Sequence, residues 1–150
     1  MTVRNLNVRT KINFGSINIL EDLNFELERG KSLGVVGESG CGKSIMALSI
    51  MGLLPDGIIA SGEVVFGKNL LSLSERELCK IRGNQICMVF QEPMTALNPV
   101  LSIGYQVAEI LRLHKNLSRH QAEKEASKIL DRVGLPSQKF SRSIFPHQLS

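Results

Sequence analysis

The strongest structural signal in this sequence is a single eight-residue segment. It reads Gly37-Glu38-Ser39-Gly40-Cys41-Gly42-Lys43-Ser44 and fits the pattern Gly-x-x-x-x-Gly-Lys-Ser at every fixed position. Glycines let the backbone take conformations closed to other residues, so that successive N–H groups can turn inward around an anion. The segment therefore predicts a phosphate-binding loop, in which we expect Lys43 to reach the phosphates and Ser44 to ligate Mg²⁺.

The residues on either side of this loop predict the setting that it requires. Residues 32–36 are almost wholly apolar, which predicts a short strand buried on both faces. A helix is predicted to follow the loop at 43–54, and its end is set by the breaker residues Pro, Asp and Gly at 55–57. A chance match to the fixed positions occurs in well under ~1% of chains of this length. Strand, loop and helix together predict that the chain binds a nucleotide.

Alternation of apolar and polar residues predicts further strands. A weak alternation with a period of two residues predicts a strand at 3–9. A clearer alternation at 19–27 predicts a half-buried antiparallel strand. Residues 62–66 predict another strand. A segment rich in β-branched and large apolar residues, 85–90, predicts a second strand that is buried on both faces.

Helical spacing and capping residues predict three more helices. One spans 74–82 and opens with a capping box between Ser74 and Glu77, and the next spans 103–113. The last follows a capping box between Ser118 and Gln121. Its apolar positions, at helical spacing, are Ala122, Ala126, Ile129, Leu130 and Val133. We therefore predict an α/β nucleotide core at 1–95 and a helical lobe at 96–150.

The composition is that of a globular protein of one-domain size. The chain has 150 residues, of which 43% are hydrophobic and 21% charged. No apolar run approaches the ~20 residues of a membrane span, and no signal-peptide pattern is found. The net charge of +4 comes from bases that form no block, which disfavours a nucleic-acid partner. We expect a cytoplasmic chain that meets a membrane only through a partner.

The three cysteines do not indicate a disulfide framework or a zinc site, because their number is odd and none lies in a CxxC pair. Cys41 lies in the phosphate loop near the start of a helix, which is a position that makes a thiol reactive. Cys79 and Cys87 are expected to be inert, buried thiols.

The residues after the second apolar strand narrow the class of nucleotide-binding protein. They read Gln91-Glu92-Pro93-Met94-Thr95-Ala96-Leu97-Asn98-Pro99. This segment resembles the Q-loop of ABC transporter ATPases, and its form is similar to that of the dipeptide, oligopeptide and nickel importers. Residues 35–44, 51–55 and 145–150 resemble the same branch, so the resemblance covers essentially the whole chain.

The resemblance implies an α/β fold, with a P-loop NTPase core of the ABC type, N-terminal antiparallel β strands and a helical subdomain, incomplete at the C-terminus. It implies that ATP and Mg²⁺ bind, and that the chain couples ATP hydrolysis to peptide uptake. The implied partners are transmembrane permease subunits, a second ATP-binding subunit in a homo- or heterodimer and, indirectly, a peptide-binding protein. The chain would be peripheral on the inner face of the cell membrane, with Glu92 to Pro99 facing the permease.

Three further site residues rest on the resemblance. Gln91 would contact Mg²⁺ and the attacking water, although a glutamine at a strand end is by itself an ordinary solvated residue. Ser150 matches the serine of the signature motif, which faces the ATP of a second subunit. Phe14 is the aromatic residue best placed to stack on adenine. An ungapped alignment with the family would put Thr10 at that position instead, and a Phe14 packed in the core is the other alternative.

The sequence also departs from the family. No run of four apolar residues followed by Asp-Glu occurs after Gln91, so the Walker B strand, the catalytic glutamate and the switch histidine are missing. We therefore expect a truncated product, or an excerpt of a longer chain, that binds ATP weakly without turning it over. The alternatives are a nucleotide-binding fragment without transport activity and a nickel importer. A DNA-repair ATPase is disfavoured, because no long insertion follows the Q-loop.

Overall fold

The computed structural model describes residues 1–12, 15–90, 96–136 and 140–149. The chain divides into two compact units, Met1–Met88 and Val89–Ser150. Within the described residues, no helix is both long and apolar enough to cross a membrane. The functional division at residue 95 stays a prediction.

The first unit is built on a four-stranded antiparallel sheet. Its strands lie in the order β2-β1-β3-β4, and β1 pairs with both β2 and β3. They are β1 (Thr2–Ile12), β2 (Gly15–Glu26), β3 (Ile58–Phe66) and β4 (Lys68–Asn69). The strands predicted at 3–9, 19–27 and 62–66 are confirmed, and the second and third begin four residues earlier than predicted.

One face of this sheet forms the core of the first unit. Val3 and Leu6 of β1 and Val64 of β3 are at most 1% exposed. Val3 and Leu6 are three positions apart, which would place them on opposite faces of a regular strand. A break in register between them, with Asn5 at a φ of 48°, turns both toward the core.

Two helices and a short 3-10 turn cover this core. Helix α1 (Lys43–Met51) ends three residues earlier than predicted, because Gly52 adopts a left-handed conformation with a φ of 63° and closes the last turn. The 3-10 turn spans Leu70–Ser72. Helix α2 (Glu75–Ile81) begins at the predicted capping box, which confirms that prediction.

The two strands predicted to be buried on both faces are not strands in the structure. Residues 32–36 pair with no described residue, and 85–90 form only an isolated bridge between Arg82 and Ile86. Val36 and Val89 are each 94% exposed. A buried parallel strand needs neighbours on its edges and cover on its faces, and the four described strands pair only with one another.

The second unit contains two helices that pack on each other. Helix α3 (Ile103–Lys115) and helix α4 (Arg119–Arg132) confirm the predicted helices. Their shared core consists of Ala108, Leu111, Ala122 and Ala126. The predicted capping box is present, because Ser118 Oγ accepts from the amide of Gln121 and Gln121 Oε1 accepts from the amide of Ser118.

Two details of the second unit go beyond the sequence pattern. Val133, predicted on the apolar face of the last helix, lies beyond its end and is 66% exposed.

The segment after this helix returns to the start of α3, where the amides of Ile103 and Gly104 donate to the carbonyl oxygens of Ile144 and Arg142 at 2.9 and 3.1 Å. These bonds satisfy two helix-start donors that have no partner inside the helix.

Candidate nucleotide site

The segment at 37–44 forms an open loop followed by a helix. Gly40 and Gly42 have φ angles of 84° and 94°, which residues with a side chain rarely adopt. The amide of Cys41 donates to the carbonyl O of Glu38 at 3.3 Å and closes one turn of the loop. Helix α1 then begins at Lys43, with Gly42 as its N-cap. The glycines of the motif therefore stand where the backbone needs them.

Several amides at the start of α1 are free to bind an anion. The first donor to be satisfied in this turn is Met46, whose amide bonds to the carbonyl O of Gly42 at 2.9 Å. The amides of 42–45 donate to no partner in the part of the chain that the structure describes. No side chain caps this helix, and its first turn carries no acidic residue. The donors and the positive end of the helix therefore favour a negatively charged ligand.

Lys43 folds back over the loop. Its Nζ donates to the carbonyl oxygens of Gly37 and Glu38 at 2.8 and 2.6 Å, and it lies 3.4 Å from Cys41 Sγ. The side chain is half-buried. The loop thus holds an ammonium group beside its turn, and this positive charge attracts an anion together with the free amides.

Two glycines of the loop also have no room for a side chain. A Cβ on Gly37 would lie 2.5 Å from Cys41 Sγ, and a Cβ on Gly42 would lie 2.6 Å from Leu20 Cδ2. Gly42 therefore lies next to β2. Both substitutions would therefore require the surrounding atoms to move.

Ser44 offers one oxygen ligand that Mg²⁺ can use. Its side chain is exposed, and its hydroxyl bonds to no described residue. Mg²⁺ prefers six oxygen ligands and usually takes most of them from phosphates and water. A single protein hydroxyl next to phosphate-binding amides fits this requirement.

Three predicted site residues lie outside the described residues. They are Phe14, Gln91 and Ser150. Thr10, the alternative adenine contact, is a half-buried residue of β1 that pairs with Ile17 and Ile58. The structure therefore describes the phosphate loop and not these other contacts.

All three cysteines are exposed and free. The expectation that Cys79 and Cys87 are buried is wrong. Cys79 lies on the solvent side of α2, where its Sγ donates to Glu75 Oε1 at 3.5 Å. Cys87 lies in residues 85–90, which form no strand in the structure.

Sequence reasoning missed the role of Arg82. Its Nε and Nη2 donate to the carbonyl oxygens of Met51 and Gly52 at 2.7 and 2.8 Å, at the end of α1. Its guanidinium also bonds to Glu75, and this bond is the main reason why the pKa of that carboxyl group lies below its usual value. Met51 and Gly52 lie 31 and 30 positions before Arg82 in the sequence, so no local pattern indicates their contact with it.

Sequence reasoning also missed Gln106, which fixes the end of the predicted Q-loop segment to α3. Its Nε2 donates to the carbonyl oxygens of Asn98 and Leu101, both at 2.9 Å, and its Oε1 accepts from the amide of Asn98 at 2.9 Å. The turn that follows the Q-loop is therefore held by a helix side chain.

Comparison with known families agrees with the loop and the fold. The ABC transporter family model matches residues 20–150. The chain therefore belongs to the ABC transporter family.

Among proteins, the chain is similar to the oligopeptide transport ATP-binding protein OppD of Haemophilus influenzae. The two are 46% identical over 151 residues, which cover 100% of this chain and 47% of the relative. OppD of Escherichia coli is 42% identical, with 100% and 45% covered. The dipeptide transport ATP-binding protein DppD of Bacillus subtilis is also 42% identical, with 100% and 46% covered. The chain thus spans just under half the length of these relatives.

Among solved structures, the chain is similar to the ATP-binding cassette MJ0796 in a dimeric, post-hydrolysis state bound to ADP and Pi. The TM-score is 0.77 at 26% identity, and the match covers 99% of this chain and 62% of that chain. The likeness supports the α/β fold class of a P-loop NTPase core of the ABC type, here in part.

Proposed function

We propose that the chain binds MgATP at residues 37–44 as the ATP-binding subunit, or part of one, of an importer for peptides. The observation that carries this proposal is the loop itself. Free amides at 42–45 and the ammonium group of Lys43 stand together at the start of α1. This combination of helix N-terminus, glycine turns and lysine is the one that holds a triphosphate in P-loop proteins.

Relatives support the peptide cargo. Those named above are oligopeptide and dipeptide transport ATP-binding proteins, and each aligns with the whole of this chain. A nickel importer is the alternative that the sequence left open. The ATPase does not touch the cargo, so we base the peptide assignment on these relatives and not on the site.

We propose transmembrane permease subunits and a second ATP-binding subunit as partners, and the inner face of the cell membrane as the location. The solved relative is a dimer, which supports the second subunit. The segment 92–99 is our candidate for the permease contact. Its described end is held to α3 by Gln106 and so presents a fixed shape.

Calorimetric titration with MgATP tests the nucleotide site. We expect Lys43→Ala to weaken binding by about tenfold or more, because it removes a full charge from the phosphate contacts. Lys31→Ala is the matched control, since Lys31 is an exposed lysine outside the loop. Binding that is absent, or that Lys43→Ala leaves unchanged, would contradict the proposal.

A phosphate-release assay tests catalysis separately. We expect no steady-state turnover from these 150 residues, because the sequence offers no apolar strand ending in Asp-Glu to hold Mg²⁺ and orient water. Turnover that Lys43→Ala abolishes would overturn this expectation and would leave the binding proposal intact.

A further inference from the structure

One arginine holds the end of α1 that lies opposite the phosphate loop. Arg82 donates from Nε and Nη2 to the carbonyl oxygens of Met51 and Gly52, at 2.7 and 2.8 Å. Carbonyl groups at the end of a helix have no partner inside the helix, and a cation there also interacts favourably with the negative end of the helix dipole. The Arg82 side chain is only 16% exposed, so these charge-assisted bonds are largely shielded from water.

Glu75 fixes the orientation of this guanidinium group. Its two carboxylate oxygens accept from Nη1 and Nη2 of Arg82 at 2.5 and 3.2 Å. Glu75 lies in the first turn of α2, and Arg82 directly follows the last residue of the same helix. Because α2 carries both partners, the guanidinium is held in one plane against the end of α1.

Helix α1 transmits this restraint to the loop. It has nine residues and is therefore about 13 Å long, so its two ends move as one body. The N-terminal end carries Lys43 and Ser44. On that side, residues 31–38 pair with no described strand, Gly42 lies next to Leu20, and Ile45 and Met46 pack against the core. The direction of α1 thus depends on this packing together with its anchored C-terminal end.

We propose that Arg82, oriented by Glu75, is a positioning residue for the phosphate loop. It touches no nucleotide and acts through α1, whose start carries the ammonium and hydroxyl groups. This inference rests on the proposed function, since it concerns the nucleotide bound at residues 37–44. A residue that only stabilised the fold would change the unfolding temperature without changing the loop.

The test compares Arg82→Gln with a variant that destabilises the same unit elsewhere. Val64→Ala is suitable, because Val64 is fully buried in β3 and its amide bonds to Asn69 and not to the loop or to Arg82. We expect Arg82→Gln to raise the Kd for MgATP about tenfold, because the loop would then occupy its binding arrangement only about a tenth of the time. Val64→Ala should lower the unfolding temperature at least as much and leave the Kd unchanged. Arg82→Lys should restore part of the affinity.

A second readout does not need nucleotide. In NMR spectra of the free chain, Arg82→Gln should shift the amide resonances of Gly40, Gly42 and Lys43, and Val64→Ala should leave them in place. Unchanged loop resonances and an unchanged Kd, beside a lowered unfolding temperature, would overturn the proposal. If the unaltered chain has no affinity for MgATP, the proposed function fails and the resonances still decide the role of Arg82. If Arg82→Gln does not fold, Arg82→Lys and the milder Glu75→Gln undergo the same comparison.

Discussion

Gly42 of the phosphate loop lies against Leu20 of β2, so closely that a Cβ on Gly42 would come within 2.6 Å of Leu20 Cδ2. The carbonyl O of Ile19 would lie 3.5 Å from this Cβ. Gly42 also has a φ of 94°. A side chain at this position is therefore opposed by backbone strain and by the Leu20 side chain.

We expect Gly42→Ala to lower the affinity for MgATP by at least about tenfold and to destabilise the first unit by roughly 1–3 kcal/mol. Calorimetric titration and thermal unfolding measure the two effects. Gly30→Ala is the control, because Gly30 has a φ of 76° with nothing within 4 Å of its Cβ position. It carries backbone strain alone and should leave affinity unchanged. Equal losses of affinity in both variants would contradict the role of the Leu20 contact.

The sequence predicts local features of this molecule well, because they depend on neighbouring residues. The capping boxes at Ser74 and Ser118 and the loop at 37–44 each follow from residue types at fixed short spacing. The antiparallel strands follow from alternation. The predicted start of α1 is likewise confirmed.

The features that the sequence did not predict depend on distant residues. Residues 32–36 have the composition of a buried strand, and the described residues supply no neighbour to pair with them. The bonds from Arg82 to Met51 and Gly52 cross about 30 positions. The bulge at Asn5 depends on Gly62, where a Cβ would collide with the Asn5 backbone. None of these contacts has a local signature.

A second prediction concerns Gly104, in the first turn of α3. A Cβ there would come within 2.7 Å of both Cβ and the carbonyl O of Arg142. Alanine is the better helix former by about 1 kcal/mol, whereas overpacking against backbone costs about 1–3 kcal/mol. We therefore expect Gly104→Ala to destabilise the second unit by roughly 1 kcal/mol in chemical denaturation. Glu109→Ala, on the exposed side of α3, gains helix propensity without a clash and should be neutral or stabilising. A stabilised Gly104→Ala would show that the 142 segment yields easily.

A third prediction concerns acid and the cap of α2. Glu77 Oε2 accepts from the amide and the hydroxyl of Ser74 at 3.0 and 2.6 Å, and these bonds lower the pKa of the Glu77 carboxyl group from its ordinary 4.5. The folded-state pKa is depressed, so the resulting stability is fully present above 4.5 and is lost as the pH falls through the lower folded value.

Thermal unfolding from about pH 6 to pH 3 measures this effect, because the range spans the ordinary pKa of a glutamate. We expect the difference in unfolding temperature between the unaltered chain and Glu77→Gln to shrink as the pH falls. The control is Glu28→Gln, because the Glu28 carboxylate bonds to no described side chain or amide. A difference that stays constant, or that grows in acid, would contradict the assignment of these hydrogen bonds.

A final prediction uses the thiol of Cys41 as a reporter on the phosphate loop. All three cysteines are exposed, so access alone does not distinguish them. Cys41 Sγ lies 3.4 Å from the ammonium group of Lys43 near the start of a helix, a setting in which thiols react readily, whereas Cys79 Sγ lies 3.5 Å from the carboxylate of Glu75. We expect maleimide to label Cys41 fastest and MgATP to slow that reaction alone, as measured by peptide mass spectrometry over time. Cys79 and Cys87 serve as controls within the same sample. Equal rates at all three thiols, with no protection, would mean that bound nucleotide does not cover the turn at residue 41.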